Sequence, residues 1–94
     1  MAPALIVLRQ LQKFLQIERI YLFGSRARGD AGPRSDIDLA IACPQATPII
    51  WADICEAIDG ADTLLKIDAI RLEEASPELA QRILAEGRLL YERG

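Results

Sequence analysis

Two short segments, Ile20-Tyr21-Leu22-Phe23-Gly24-Ser25 and Asp36-Ile37-Asp38-Leu39-Ala40-Ile41-Ala42, decide the fold of this chain. The first is an apolar run that stops at a Gly-Ser pair, as a short strand does when it reaches a turn. In the second, isoleucine and leucine alternate with aspartate and alanine, so the large apolar side chains point one way and both carboxylates point the other. The two segments predict two strands of a sheet that has an apolar face.

Outward from these strands, helical and strand patterns alternate along the chain. The predicted elements are a helix over Ala4–Ile17, a strand over Ile20–Phe23, a brief helical turn from Ser25 to Ala27, a strand over Asp36–Ala42, a helix from Pro48 to about Asp59, a strand over Leu64–Ile70, a helix from Pro77 that Gly87 closes, and a short strand over Arg88–Tyr91. Thr47, which precedes Pro48, predicts a helix N-cap, and Ser76-Pro77-Glu78 predicts the start of the last helix. This order predicts one domain, residues 1–94, of the α/β (α+β) class, with a small mixed sheet and helices mainly on one face.

The composition argues against nucleic-acid binding, serine-protease-like chemistry and most zinc sites. The chain has 94 residues, a net charge of −3 and no histidine. The acidic balance argues against direct nucleic-acid binding through a broad basic surface. Without histidine, Ser-His-Asp chemistry and most zinc sites are disfavoured.

Cysteine usage and hydropathy predict a cytoplasmic protein. No apolar run reaches the roughly 18 residues that a membrane span needs, and Met1–Gln12 lacks the pattern of a secretion signal. In a reducing cytoplasm, Cys43 and Cys55 are predicted to be packing residues rather than a disulfide.

Three aspartates are candidate metal ligands. Asp36 and Asp38 leave the same face of their strand roughly 6.5–7 Å apart, a spacing at which a cation relieves their repulsion. By the same alternation Asp68 projects from its own strand away from the core, and it would join the pair if the two strands are neighbours. Carboxylate oxygens favour Mg²⁺ or Mn²⁺. The alternative is that all three are solvated residues on an open sheet face.

The Gly24-Ser25 turn and the arginines after it are candidate phosphate ligands. Glycine permits close backbone approach, and amides at a helix start favour phosphate oxygens. Arg26, Arg28 and Arg34 lie between this turn and the aspartates, and guanidinium groups bind phosphate in a bidentate manner. The alternatives are a simple helix cap at Ser25 and a solvated loop whose arginines balance nearby carboxylates.

Taken together, these residues resemble the signature of the DNA polymerase beta-like nucleotidyltransferases. The signature is Gly24-Ser25, ten intervening residues, then Asp36-x-Asp38. The run Leu22–Gly29 followed by Ser35–Ala40 is similar to the minimal nucleotidyltransferase (MNT) branch. In that branch a later strand bears a third carboxylate, and Lys66-Ile67-Asp68 is similar to that strand. Ile83–Tyr91 resembles the segment that closes the MNT domain.

The resemblance implies the polymerase beta-like fold and a mechanism with two Mg²⁺ ions and ATP as donor. Asp36 and Asp38 would hold the metals, and Asp68 would bind one metal and help to deprotonate an acceptor hydroxyl. Gly24 and Ser25, with Arg26 or Arg28, would bind the β- and γ-phosphates. Attack at the α-phosphorus would leave AMP on the acceptor and release pyrophosphate.

The resemblance also implies a partner. Similar MNT proteins are the antitoxins of HEPN/MNT toxin–antitoxin pairs, in which AMPylation of a tyrosine silences the HEPN ribonuclease toxin. Two alternatives stay open at this point. One is an antitoxin that neutralises its partner by binding alone. The other is a nucleotidyltransferase with a small-molecule or RNA acceptor.

Overall fold

The structure, a computed structural model, describes residues 3–24, 27, 29, 36–61 and 66–93, with side chains from residue 7 onward. Its helices and strands are α1 (Pro3–Leu11), β1 (Arg19–Phe23), β2 (Ile37–Ala42), α2 (Pro48–Asp59), β3 (Ile67–Arg71), α3 (Pro77–Glu86) and β4 (Arg88–Glu92). A single 3₁₀ turn, Leu72–Glu74, connects β3 to α3. The helical turn predicted from Ser25 to Ala27 begins outside the described residues.

The four strands form one mixed sheet in the order β3-β2-β1-β4. Strand β1 pairs antiparallel with both β2 and β4, whereas β2 and β3 are parallel. Parallel neighbours need a crossover connection, which α2 provides here. The small mixed sheet is confirmed, and the strand of Asp68 is the neighbour of the strand of Asp38.

The two faces of the sheet are covered unequally. Alternate residues of β2, such as Leu39 and Ile41, pack with α1 and α2 in the larger core. On the opposite face, Ile83 of α3 packs against Tyr21 and Ala40 in a smaller cluster. Two of the three described helices therefore share one face, and α3 covers part of the face that also carries Asp38.

The predicted N-cap at Thr47 is confirmed, and Ser76 caps α3 in the same way. The Thr47 hydroxyl accepts a hydrogen bond from the Ile50 amide at 3.2 Å. The Ser76 hydroxyl accepts one from the Leu79 amide, also at 3.2 Å. Each cap is followed by proline at the first helical position, where the missing N–H costs nothing.

The first helix is shorter than predicted: α1 ends at Leu11, not at Ile17. Two successive tight turns follow, in which the Phe14 amide bonds to the Leu11 carbonyl and the Ile17 amide to the Phe14 carbonyl. A continued helix would bury Leu15, but that side chain is 68% exposed and Ile17 is fully buried instead. The need to place Ile17 in the core before β1 begins overrides the helical pattern.

Strand β3 also differs from its predicted span of Leu64–Ile70. It begins at Ile67 and continues to Arg71, while residues 64 and 65 lie outside the described part of the chain. The terminal strand is confirmed and extends to Glu92. No described helix has both the length and the apolar character that crossing a bilayer demands.

Arg71, at the end of β3, holds the loop that follows β2. Its Nη2 donates to the carbonyls of Cys43 at 2.9 Å and Ala46 at 2.8 Å. Glu73, in the 3₁₀ turn after β3, accepts a hydrogen bond from the Cys43 amide at 3.1 Å and lies 3.5 Å from Arg71 Nε. The position of Arg71 directly after the apolar pair Ala69-Ile70 was the available sequence signal for this clamp.

The two cysteines should differ sharply in reactivity. Cys43 is fully buried, and burial raises the pKa of its thiol to about 11. Cys55 is partly exposed, so reagents can reach its thiol, although burial raises its pKa as well. Because the thiolate is the nucleophile, iodoacetamide at pH 8 should alkylate Cys55 in the folded protein and Cys43 only after unfolding. Mass spectrometry in buffer and in urea tests this expectation, which equal labelling of both thiols in buffer would contradict.

Candidate functional site

The candidate site lies where β2 and β3 run side by side. In their parallel register Asp38 is directly opposite Asp68. Ala40 and Ile70, two residues further along each strand, pack in the smaller cluster under α3. Since side chains two apart share a face, Asp38 and Asp68 lie on that same face.

Asp36 is placed at the entrance to the same face. It precedes β2 and is exposed. The Ile37 amide donates to the Lys66 carbonyl at 2.9 Å, so strand pairing continues to the level of Asp36. The structure thus brings the three predicted carboxylates to one face of one strand pair.

The electrostatics of the site are those of crowded carboxylates. Burial raises the pKa of Asp38 above its ordinary value, and the negative charges of Asp68 and Asp36 raise it further. A cation between such groups stabilises their ionised forms. Lys66 Nζ, 3.7 Å from Asp68 Oδ1, supplies only a weak exposed ion pair.

The donor chemistry fits a hard cation, although the ligand geometry is not preformed. Among the described residues, no three His, Cys, Asp or Glu side chains are already gathered in a metal-binding arrangement. Asp38 and Asp68 are nevertheless opposite each other in the register of β2 and β3, and Asp36 lies two residues before Asp38. Oxygen ligands of this kind suit Mg²⁺. The metal roles of the three aspartates stay a prediction.

Gly24 forms one wall of the site. It has a φ of +77°, and a Cβ placed on it would lie 2.5 Å from Asp38 Oδ2. Only glycine satisfies both the backbone conformation and the close approach. The sequence pattern predicted phosphate contact for Gly24, but its contact with Asp38 depends on the pairing of Phe23 with Asp38. Ser25, Arg26, Arg28 and Arg34 lie outside the described residues.

Replacing Gly24 by alanine should therefore harm function more than stability. We expect a loss of about 1–2 kcal/mol in unfolding free energy from the left-handed backbone. Displacement of the Asp38 carboxylate should lower the rate of a reaction that depends on this site by about 10²-fold.

Gly29 provides the matched control, because its φ is +82° and nothing lies within 4 Å of a Cβ placed there. Gly29→Ala should show a similar stability loss in urea unfolding and a much smaller loss of rate. Equal rate losses for the two variants would contradict the role assigned to the Gly24–Asp38 contact.

The fold and the sequence are similar to those of known nucleotidyltransferases. Residues 7–94 match the family described as polymerase beta, nucleotidyltransferase. A chain from a toxin–antitoxin crystal structure with AMP-PNP superposes with a TM-score of 0.72 at 24% identity, covering 99% of this chain and 75% of that one. No curated protein sequence matches this chain.

Two further structures share the fold. One is the toxin–antitoxin complex MntA–HepT, with a TM-score of 0.62 at 23% identity, over 97% of this chain and 71% of that one. The other is a tri-AMPylated Shewanella oneidensis HEPN toxin in complex with an MNT antitoxin, with a TM-score of 0.62 at 24% identity, over 98% and 74%. The family match across residues 7–94, with these structural likenesses, shows that the chain belongs to the polymerase beta nucleotidyltransferase family.

Proposed function

We propose that this chain is a Mg²⁺-dependent nucleotidyltransferase that moves AMP from ATP to a tyrosine hydroxyl of a partner HEPN toxin in the cytoplasm, and so acts as its antitoxin. The observation that carries the proposal is the placement of Asp38 opposite Asp68, with Gly24 against the Asp38 carboxylate. The likeness to a chain of a complex with AMP-PNP supports ATP as donor. The likeness to the complex of a tri-AMPylated HEPN toxin supports a protein acceptor.

The roles of the residues follow from their chemistry and position. Asp36, Asp38 and Asp68 would hold two Mg²⁺ ions, which would supply positive charge to the triphosphate and to the attacking and leaving oxygens. The backbone at Gly24, with Ser25 and either Arg26 or Arg28, would bind the β- and γ-phosphates. The partly buried Asp38 is suited to fixed ligation, because its surroundings restrict its side chain.

Asp68 is suited to meet the acceptor. Its side chain is 49% exposed, on β3 at the edge of the sheet, so a hydroxyl from another molecule can reach it. In the proposed step Asp68 accepts the hydroxyl proton, and the oxygen forms a bond to the α-phosphorus. The bond from that phosphorus to the bridging oxygen breaks, and pyrophosphate leaves with the electron pair.

The test is a transfer assay with the partner protein. The chain, ATP labelled at the α-phosphate, Mg²⁺ and the HEPN protein encoded beside it are incubated, and mass spectrometry locates any AMP. We expect AMP on a tyrosine of the partner and loss of toxin ribonuclease activity. The double variant Asp36→Ala/Asp38→Ala should abolish both results.

The matched control is Asp53→Ala/Glu56→Ala, which removes two exposed carboxylates from α2 on the other side of the sheet. It changes the net charge equally and should leave transfer intact. Neutralisation that survives Asp36→Ala/Asp38→Ala without label on the toxin would favour an antitoxin that acts by binding alone. Label on RNA or on a small molecule, with none on protein, would overturn the proposed acceptor.

A further inference from the structure

A cavity of about 140 Å³ lies where α3 meets the end of β1. Its lining consists of two charged side chains, three apolar ones and the main chain of one glycine: Arg82, Glu86, Phe23, Leu79, Ile83 and Gly24. Neither charged residue forms a salt bridge with another residue of the described chain. Nothing in the sequence pattern assigned a role to Arg82.

The cavity adjoins the carboxylates through a shared wall. Gly24 lines the cavity and also abuts Asp38 Oδ2. Ile83 fixes α3 against Tyr21 and Ala40, on the face of the sheet that carries Asp38 and Asp68. A ligand that contacts both Gly24 and the carboxylates therefore passes beside Arg82.

We propose that Arg82 binds the terminal phosphates of the nucleoside triphosphate, the part that leaves as pyrophosphate. The inference rests on the proposed nucleotidyl transfer and adds a residue from α3 to its donor site. With two Mg²⁺ ions held by Asp36, Asp38 and Asp68, the three carboxylates and the triphosphate together still carry excess negative charge. A cation on the cavity side would balance the terminal phosphates. A guanidinium supplies that charge with two parallel N–H donors matched to phosphate oxygens.

Glu86 makes the requirement for Arg82 stricter. It lies one helical turn after Arg82 and lines the same cavity. With Arg82 present the two side chains balance in charge. Without Arg82 the cavity has a net negative charge next to three further carboxylates, a poor environment for phosphate.

Binding measurements on Arg82→Gln test the proposal without reference to transfer. By titration calorimetry in Mg²⁺, we expect this variant to bind the α,β-methylene analogue of ATP and inorganic pyrophosphate at least about tenfold more weakly. Its affinity for AMP should be unchanged, because AMP lacks the terminal phosphates. Arg82→Lys should recover part of the loss, since it keeps the charge without the bidentate geometry.

Arg9→Gln is the matched control, because Arg9 is an exposed arginine of α1. It should bind all three ligands like the wild type. The proposal is overturned if Arg82→Gln binds pyrophosphate normally, if AMP loses affinity as much as the triphosphate analogue, or if the wild type binds neither phosphate ligand. If Arg82→Gln selectively loses affinity for pyrophosphate while the wild type transfers no AMP to the toxin, the phosphate site is supported and the proposed acceptor is contradicted.

Discussion

Asp38→Asn is expected to lower the rate of AMP transfer by at least about 10³-fold, equivalent to about 4 kcal/mol of lost transition-state stabilisation. The substitution keeps the shape of the side chain and removes the charge that faces Asp68 and Asp36. Asp38 is also the carboxylate that lies against Gly24. Single-turnover transfer to the proposed HEPN partner measures the effect.

The same variant should be at least as stable as the wild type when metal is absent. The pKa of Asp38 is raised in the folded protein, chiefly by burial and then by Asp68 and Asp36. Because the pKa of Asp38 is raised by folding, the stability that this carboxyl group contributes is present below its pKa in the unfolded chain. That stability is lost as pH rises through its pKa in the folded protein. At neutral pH the ionised carboxylate therefore opposes folding, and asparagine removes that cost.

Asp53→Asn on α2 is the control for both measurements, because it makes the same change at an exposed position. It should alter neither the transfer rate nor the unfolding midpoint in EDTA. Transfer by Asp38→Asn within a factor of ten of the wild-type rate would contradict the role assigned to Asp38. A lowered unfolding midpoint in EDTA would contradict the electrostatic argument alone.

Arg71→Met is expected to have the largest effect on stability, a loss of about 3 kcal/mol in unfolding free energy. The Arg71 side chain is only 14% exposed, and its Nη2 serves the carbonyls of Cys43 and Ala46. Methionine keeps much of the apolar stem but leaves these acceptors and the carboxylate of Glu73 without their cation. For a domain of this size that loss is a large part of the total stability.

Urea unfolding at pH 7 measures this loss, and Arg9→Met on α1 is the matched control. Arg9 is exposed, so its replacement should change the midpoint little. Arg71→Lys should lie between the two, since an ammonium group can satisfy fewer of the same acceptors in fixed geometry. An unchanged midpoint for Arg71→Met would show that the loop after β2 is held by other contacts.

Features set by neighbouring residues could be predicted from the sequence, and features set by packing could not. The caps at Thr47 and Ser76 follow from hydroxyl and proline positions a few residues apart. The end of α1 depends instead on the burial of Ile17, which only the assembled core decides. The position of α3 on the second face likewise reflects the contact of Ile83 with two strands.

The candidate site shows the same division. Alternation along each strand correctly separated its carboxylates from the core side chains, since that property belongs to single strands. That Asp38 and Asp68 lie in register depended on strand order, which the sequence left as an assumption. The contacts of Gly24 with Asp38, and of Arg82 with the cavity beside it, join elements distant in sequence and carry no local signal.

The parallel alignment of β2 and β3 also protects the chain against misfolding. If β3 slipped by one residue along β2, Asp68 would turn towards the apolar core and Ile67 or Ala69 would stand opposite Asp38. Burial of an unpaired carboxylate is costly, so the slipped form is disfavoured by the residue whose chemistry it would destroy. A molecule with misaligned strands would therefore lose stability and the candidate site together, so folding favours the aligned form.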